Sequence, residues 1–148
     1  MVGSNCFTML LLVIIYLFIM NMCTDFSIIS WNVCGGTNKI RKRHHKELAR
    51  RYRPSLFALL EIHVNFLSGY TLVAFSKAQG YAGGIWIISS ISYVSLSTLD
   101  ITRQCVTIQV SMGSSSWFLS AVYISPIPGV QLQLWDYLNT IKLKVQGL

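Results

Sequence analysis

The chain has 148 residues, about the length of one domain that can bury a sizeable core. Hydrophobic residues make up 53% of it and charged residues only 11%, against a usual charged share of about 25%, which is typical of a truncated or membrane-associated chain. None of the four cysteines forms a C-x-x-C pair or a Cys/His cluster with zinc spacing, so we expect reduced cysteines that mostly serve packing.

The first 24 residues contain no charged side chain. We predict an N-terminal hydrophobic helix here, a signal anchor or transmembrane helix that contacts a membrane through residues 6–23. Its most apolar part, residues 7–20, is shorter than the ~18 to 20 residues of a spanning helix, so an upstream segment with no role in a membrane is the alternative. The protein is then membrane-associated if this segment inserts, and otherwise cytoplasmic or nuclear. Residues 25–148 form the second predicted unit.

A strand, a helix and a second strand follow. Residues 26–31 predict a strand that ends at Asn32, and residues 39–53 predict a helix with Ile40, His44, Leu48 and Tyr52 on one face. Leu56–Leu60 is a short apolar run, typical of a strand covered on both faces, and Glu61 follows it. If the two strands are parallel neighbours, Asn32 and Glu61 emerge side by side, where open α/β sheets bind ligands. A carboxylate beside a carboxamide oxygen suits Mg²⁺.

The helix between these strands is strongly basic. Eight of the twelve Lys and Arg residues lie there, although the net charge of the whole chain is only +7. They are Lys39, Arg41, Lys42, Arg43, Lys46, Arg50, Arg51 and Arg53. One hypothesis is a phosphate-binding patch that binds nucleic acid weakly and in a salt-sensitive way. The alternative is the solvated face of a helix without a partner. No protein partner is indicated.

The second half of the chain predicts further strands and one more helix. Strands are expected at residues 71–75, 85–88, 93–99, 105–110 and 117–123. Leu132, Trp135, Leu138 and Ile141 mark a last amphipathic helix over residues 131–141. The fold class is therefore mixed α and β, and the strand order predicts one mixed sheet and part of a second.

Four motifs in order carry a family resemblance. They are S-W-N-x-x-G at residues 30–35, L-L-E at 59–61, G-G-I-W at 83–86 and S-A-V-Y-I-S-P at 120–126. Over residues 26–138 the chain resembles the endonuclease/exonuclease/phosphatase superfamily, and within it the endonuclease domain of plant retrotransposons without long terminal repeats. The resemblance implies a four-layer αββα sandwich, here truncated, that hydrolyses phosphodiester bonds in DNA with Mg²⁺, or with Mn²⁺ in its place.

The resemblance also implies roles for three residues. Glu61 would bind the metal, and Asn32 would orient Glu61 or a bound water. The hydroxyl of Tyr123 would donate a hydrogen bond to a phosphate oxygen; a buried aromatic residue with no role in catalysis is the alternative.

Two later motifs of the family are missing from the chain. It contains no G-D-F-N segment and no S-D-H segment, and its only three histidines, at positions 44, 45 and 63, come early. We therefore expect an N-terminal fragment of the domain that is inactive alone. Two alternatives stay open: a membrane-anchored basic protein without an enzymatic role, and a phosphodiesterase that a partner or a second copy completes.

Overall fold

The computed structural model describes residues 10–16, 26–32, 39–60, 67–77 and 84–147, and the statements below concern these residues. Their fold is mixed α and β, with two sheets and two helices. In chain order the elements are β1 (Leu10–Tyr16), β2 (Ile28–Asn32), α1 (Lys39–Tyr52), β3 (Leu56–Leu60), β4 (Thr71–Ser76), β5 (Ile85–Ser89), β6 (Ser95–Ile101), β7 (Cys105–Met112), β8 (Ser115–Ile124) and α2 (Pro128–Gln146).

The strands form two four-stranded sheets. The mixed sheet has the order β2-β3-β5-β4, with β2 and β3 parallel and the other pairs antiparallel. The antiparallel sheet has the order β1-β8-β7-β6. The first two predicted strands are thus parallel neighbours, which is the condition for Asn32 and Glu61 to emerge side by side. A parallel pair needs a crossover connection, and α1 lies in that connection because it separates β2 from β3 in the chain.

The two sheets share one apolar core, which we call the intersheet core. Strand β3 shows how it forms, because alternate side chains of a strand point to opposite faces. Leu56, Ala58 and Leu60 belong to the intersheet core, whereas Phe57 and Leu59 pack on the side of α1. The other buried members of the intersheet core are Ala74, Ile85, Ile87, Val94, Val106, Ile108, Val110, Leu119, Ala121 and Tyr123.

Helix α1 covers the outer face of the mixed sheet. Its contacts come from His45, Leu48 and Ala49, and His45 is only 3% exposed. The predicted contact face of Ile40, His44, Leu48 and Tyr52 is therefore only partly right: Leu48 packs on the sheet, whereas His44 is exposed and Tyr52 is 57% exposed. The side chain of Ile40 lies outside the described ones. The spacing of three and four residues from His45 also fits one helix face, and the sequence pattern does not distinguish the two faces.

Helix α2 covers the outer face of the antiparallel sheet. Leu134, Leu138, Ile141 and Val145 are its buried residues, and they pack on Cys105, Phe118 and Val122. The predicted face is half wrong, because Leu132 is 66% exposed and Trp135 is 44% exposed. Apolar residues occur on both sides of this helix, so the sheet selects the face. The elements stack in the order α1, mixed sheet, antiparallel sheet, α2.

The N-terminal segment differs from its prediction. Leu10–Tyr16 is not helical but forms strand β1, which pairs with β8 from Leu10 opposite Ile124 to Tyr16 opposite Phe118. A short apolar run rich in Val and Ile fits a buried strand as well as a helix, and here β8 offers it an edge. The rest of residues 1–24 lies outside the described residues. No helix within the described ranges is long and apolar enough to cross a membrane.

The position of β1 generates a prediction about residues 1–24. Their removal should lower the free energy of unfolding by about 1–7 kcal/mol, because seven cross-strand pairs with β8 are lost at roughly 0.2–1 kcal/mol each. Urea unfolding of the full chain and of residues 25–148, followed by tryptophan fluorescence, measures the difference. Equal midpoints for the two chains in detergent-free buffer would contradict a structural role for β1.

Candidate functional site

Asn32 occupies the end of β2, as the sequence predicts. It pairs with Leu60, the last residue of the parallel neighbour β3, and it is half-buried. Ile29 and Trp31 pack on the side of α1, whereas Ile28 packs on the intersheet core. By the alternation of a strand, the side chain of Asn32 lies on the intersheet side of the mixed sheet.

Glu61, the predicted metal ligand, lies outside the described residues. In the chain it directly follows Leu60, whose backbone pairs with that of Asn32. The described strands thus supply the arrangement on which the prediction depends, namely two parallel strands that end together, one of them in Asn32.

Tyr123 lies near the end of β8 and is only 5% exposed. Its side chain belongs to the intersheet core, to which Leu60 also belongs. The Tyr123 backbone N–H donates to the Gln104 carbonyl at 2.8 Å, and Gln104 Nε2 donates to the Tyr123 carbonyl at 3.3 Å. These two bonds fix the strand end. The catalytic role of Tyr123 stays a prediction, because a ring this deep in the core equally serves packing.

The carboxylates of the described residues lie on elements other than β2 and β3. Glu47 is on α1 and Asp136 is on α2, while Asp100 on β6 accepts a hydrogen bond from the Ile101 N–H at 2.8 Å. Within the described ranges, no group of three or more His, Cys, Asp or Glu side chains could hold a metal ion. Of the two predicted metal ligands, Asn32 and Glu61, Asn32 is the one that lies among the described residues. Its carboxamide oxygen is an atom that can bind a hard cation such as Mg²⁺.

The predicted nucleic-acid patch is on the outward surface of α1. Lys39, Arg43, Lys46, Arg50 and Arg51 are exposed, and so is Arg53, which follows the helix. The side chains of Arg41 and Lys42 are outside the described ones. The phosphate-binding and the solvated-face interpretations both require exposure, and the described members meet that requirement.

Sequence reasoning missed His45. Its ring packs edge-on against Trp31, with the ring centroids 4.3 Å apart and the planes at 84°, so it anchors α1 to the strand that carries Asn32. Its Nε2 is buried without a hydrogen-bond partner among the described residues. Burial, and secondarily the charge of His44, lowers the pKa of His45. The spacing of His45 to Leu48 and Ala49 is the signal that could have found it.

Cys105 is the one free cysteine within the described residues, and it is buried beneath α2. Burial raises the pKa of its thiol, which opposes formation of the reactive thiolate. Its sulfur lies 3.5 Å from Thr107 Oγ1, which in turn forms a 2.7 Å hydrogen bond with Ser120 Oγ. For Cys105, a reduced packing role is confirmed.

Comparisons of the chain with protein-family models, with curated proteins and with solved structures gave no match.

The buried His45 makes stability depend on pH. Because its pKa is lowered in the fold, the unfolded chain takes up a proton at higher pH, and stability falls as pH drops through the unfolded value of about 6.5. We expect His45→Phe to remove this loss while keeping an aromatic edge on Trp31. Urea midpoints measured between about pH 7.5 and about pH 5 test it.

The matched control is His44→Phe at the exposed neighbouring position. It should retain most of the pH dependence, since it removes only the smaller of the two causes of the lowered pKa. If the two variants flatten the profile equally, burial of His45 is not its source.

Proposed function

We propose that these residues are the N-terminal part of a Mg²⁺-dependent phosphodiesterase domain of the endonuclease/exonuclease/phosphatase superfamily, ancestrally acting on DNA and inactive alone. The observation that carries the proposal is the parallel pair of β2 and β3, which ends with Asn32 opposite Leu60, the residue before Glu61. This is the strand arrangement that the resemblance requires at the metal site.

The stacking of the elements supports the same family. A mixed sheet and an antiparallel sheet share the intersheet core, with α1 on one outer face and α2 on the other. This order corresponds to the αββα sandwich that the four motifs imply. We extend this observation to the family because the four sequence motifs imply the same sandwich.

Three residues have roles in the proposal. The carboxylate of Glu61 binds Mg²⁺, or Mn²⁺ in its place, and Asn32 orients Glu61 or a water on the metal. The metal supplies charge that stabilises the phosphate and the leaving oxygen. Tyr123 donates its hydroxyl hydrogen to a phosphate oxygen from the end of β8.

The sequence lacks the G-D-F-N and S-D-H segments that would place a base at the attacking water. Past Glu61 its carboxylates are Asp100 and Asp136 and its one histidine is His63. Asp100 lies on β6, whose edge position in the antiparallel sheet separates it from β2, and Asp136 is exposed on α2. Loss of a general base typically lowers the rate by ~10²–10⁴-fold.

Metal binding is the direct test of the proposal. We expect the chain to bind one Mn²⁺, measured from the electron paramagnetic resonance signal of the free ion. Glu61→Gln should weaken binding by more than about tenfold, since loss of even a ligand's hydrogen-bond partner commonly costs 10–100-fold. Asn32→Ala should weaken it less.

Glu47→Gln is the matched control for metal binding, because Glu47 is an exposed carboxylate bound to Arg50 and lies on α1 rather than at the strand ends. It should leave Mn²⁺ binding unchanged. Equal effects of the Glu47 and Glu61 variants would show only diffuse attraction to carboxylates and would refute the metal pair.

The chain should not nick supercoiled plasmid DNA above background with Mg²⁺ or Mn²⁺, because a nucleophilic water is not activated. Gel electrophoresis of the plasmid measures this. Mg²⁺-dependent nicking that Glu61→Ala abolishes would instead establish a working enzyme. The dependence of the nicking rate on protein concentration would then show whether a second copy of the chain completes the site.

A further inference from the structure

The outer surface of α1 carries a straight row of cations. Lys39, Arg43, Lys46 and Arg50 are exposed and line one surface depression of about 400 Å³ together with Glu47. Their spacing of four, three and four residues places them along one side of the helix. Contacts with the mixed sheet come instead from His45, Leu48 and Ala49, so this row is directed away from the sheet.

The row has a defined length and charge. From Lys39 to Arg50 it covers 11 helical steps, or about 16 Å at about 1.5 Å per residue. Glu47 Oε1 lies 2.8 Å from Arg50 Nη2, and this bond and the charge of Arg50 lower the pKa of Glu47, which therefore stays ionised. The carboxylate offsets one of the four cations and leaves three to face a partner.

The lining of the depression indicates the class of partner. Lys, Arg and Glu line it, and no aromatic or aliphatic residue of the described chain does. Single-stranded nucleic acids are usually held by aromatic side chains that stack on bases, and membrane surfaces by apolar side chains that insert. A rigid row of cations alone fits a rigid, regularly charged polyanion.

We propose that this row of α1 docks on the phosphate backbone of a duplex nucleic acid, without reading its sequence. Each strand of a duplex carries one phosphate per about 3.4 Å of the duplex axis, so about 16 Å of protein helix faces enough of them for three contacts. Arginine guanidinium groups add planar, bidentate recognition of phosphate oxygens. The site goes beyond the proposed function, because it uses neither Asn32, Glu61 nor a metal.

The binding experiment uses the full chain and a fluorescein-labelled duplex in EDTA, with anisotropy recorded at several salt concentrations. For three phosphate contacts at about −0.9 each, the slope of log K against log salt should be about −2.7. Affinity should then fall about 500-fold between about 10 mM and about 100 mM salt. A slope near zero, or no binding at about 10 mM salt, would overturn the proposal.

Two quadruple variants with the same loss of charge separate the row from net charge. Lys39→Gln/Arg43→Gln/Lys46→Gln/Arg50→Gln should bring the slope close to zero, and glutamine keeps the helix propensity of the segment. The control changes four exposed cations outside α1, namely Lys77→Gln/Arg103→Gln/Lys142→Gln/Lys144→Gln. It should keep the slope of the unchanged chain, and equal losses in the two variants would refute a site on α1.

A single substitution tests the row by a gain of binding. Glu47→Gln frees Arg50 for a fourth phosphate, so the slope should steepen to about −3.6 and the affinity at about 100 mM salt should rise about eightfold. Glu47 is exposed at 54%, so the fold should not depend on it. Glu47→Gln therefore tests the proposal even if the quadruple variant fails to fold. An unchanged or weaker affinity of Glu47→Gln for the duplex would contradict the proposal.

Other partners and the metal site are distinguished in the same assay. Tighter binding of a single strand of equal length, or binding of phosphatidylserine vesicles that depends on the row while duplex binding does not, would overturn the duplex proposal. Glu61→Gln should leave duplex binding in EDTA unchanged. A negative result for metal binding by Asn32 and Glu61 is thus distinguishable from a negative result for duplex binding by the row of cations on α1.

Discussion

The architecture depends on the burial of β3 on both of its faces. Each of its five residues is no more than 2% exposed, with the intersheet core on one side and the α1 contacts on the other. A strand in this position needs hydrogen-bonding neighbours at both edges, and they are β2 and β5. Because β2 is parallel to β3, the chain must cross over between them, and α1 lies in this crossover. Asn32 and Leu60 lie at the same end of the mixed sheet because β2 and β3 run parallel.

Serine side chains allow strands of the mixed sheet to begin and end inside the protein. Ser55 Oγ accepts the Ser27 N–H at 3.2 Å, and Ser89 Oγ donates to the Ser55 carbonyl at 3.2 Å. Ser76 Oγ accepts the Ile85 N–H at 3.3 Å. Buried polar groups are costly unless they are hydrogen-bonded, so these small hydroxyls provide partners for backbone groups at the strand ends. His45 Nε2 has no such partner within the described residues, which makes the α1 contact sensitive to protonation.

The sequence predicted elements better than their environments. Leu56–Leu60 was predicted to the residue, because a short, continuous apolar run is typical of a strand covered on both faces. Helix α1 was predicted within one residue of its end, since Pro54 follows it. The contact face of each helix was predicted only in part, because each helix has apolar residues on two sides and tertiary packing selects one. Strand β1 was missed for a related reason: its partner β8 lies more than a hundred residues away in the chain, and a local pattern cannot show it.

The candidate site divides in the same way. The strand end at Asn32 was predictable, because it requires only that two apolar runs lie side by side and parallel. The burial of Tyr123 was one of two alternatives for this residue, and the sequence did not choose between them because burial depends on how far the mixed sheet extends over β8. His44 rather than His45 was predicted on the contact face of α1. The position of the sheet decides which of two adjacent helix residues faces it, and a basic helix sequence does not show that position.

Helix α1 joins the two proposed functions through its energetics. Its described contact face includes His45, whose pKa is lowered by burial. Its outer row brings like charges together at Lys39–Arg43, Arg43–Lys46 and Lys46–Arg50, and each such pair destabilises a helix by about 0.2–0.5 kcal/mol. If a polyanion binds this row as proposed, it removes this repulsion and favours the folded helix, so it would stabilise the contact between α1 and Trp31. The proposed anion binding outside the mixed sheet would therefore stabilise the packing of α1 on β2, the strand that ends in Asn32.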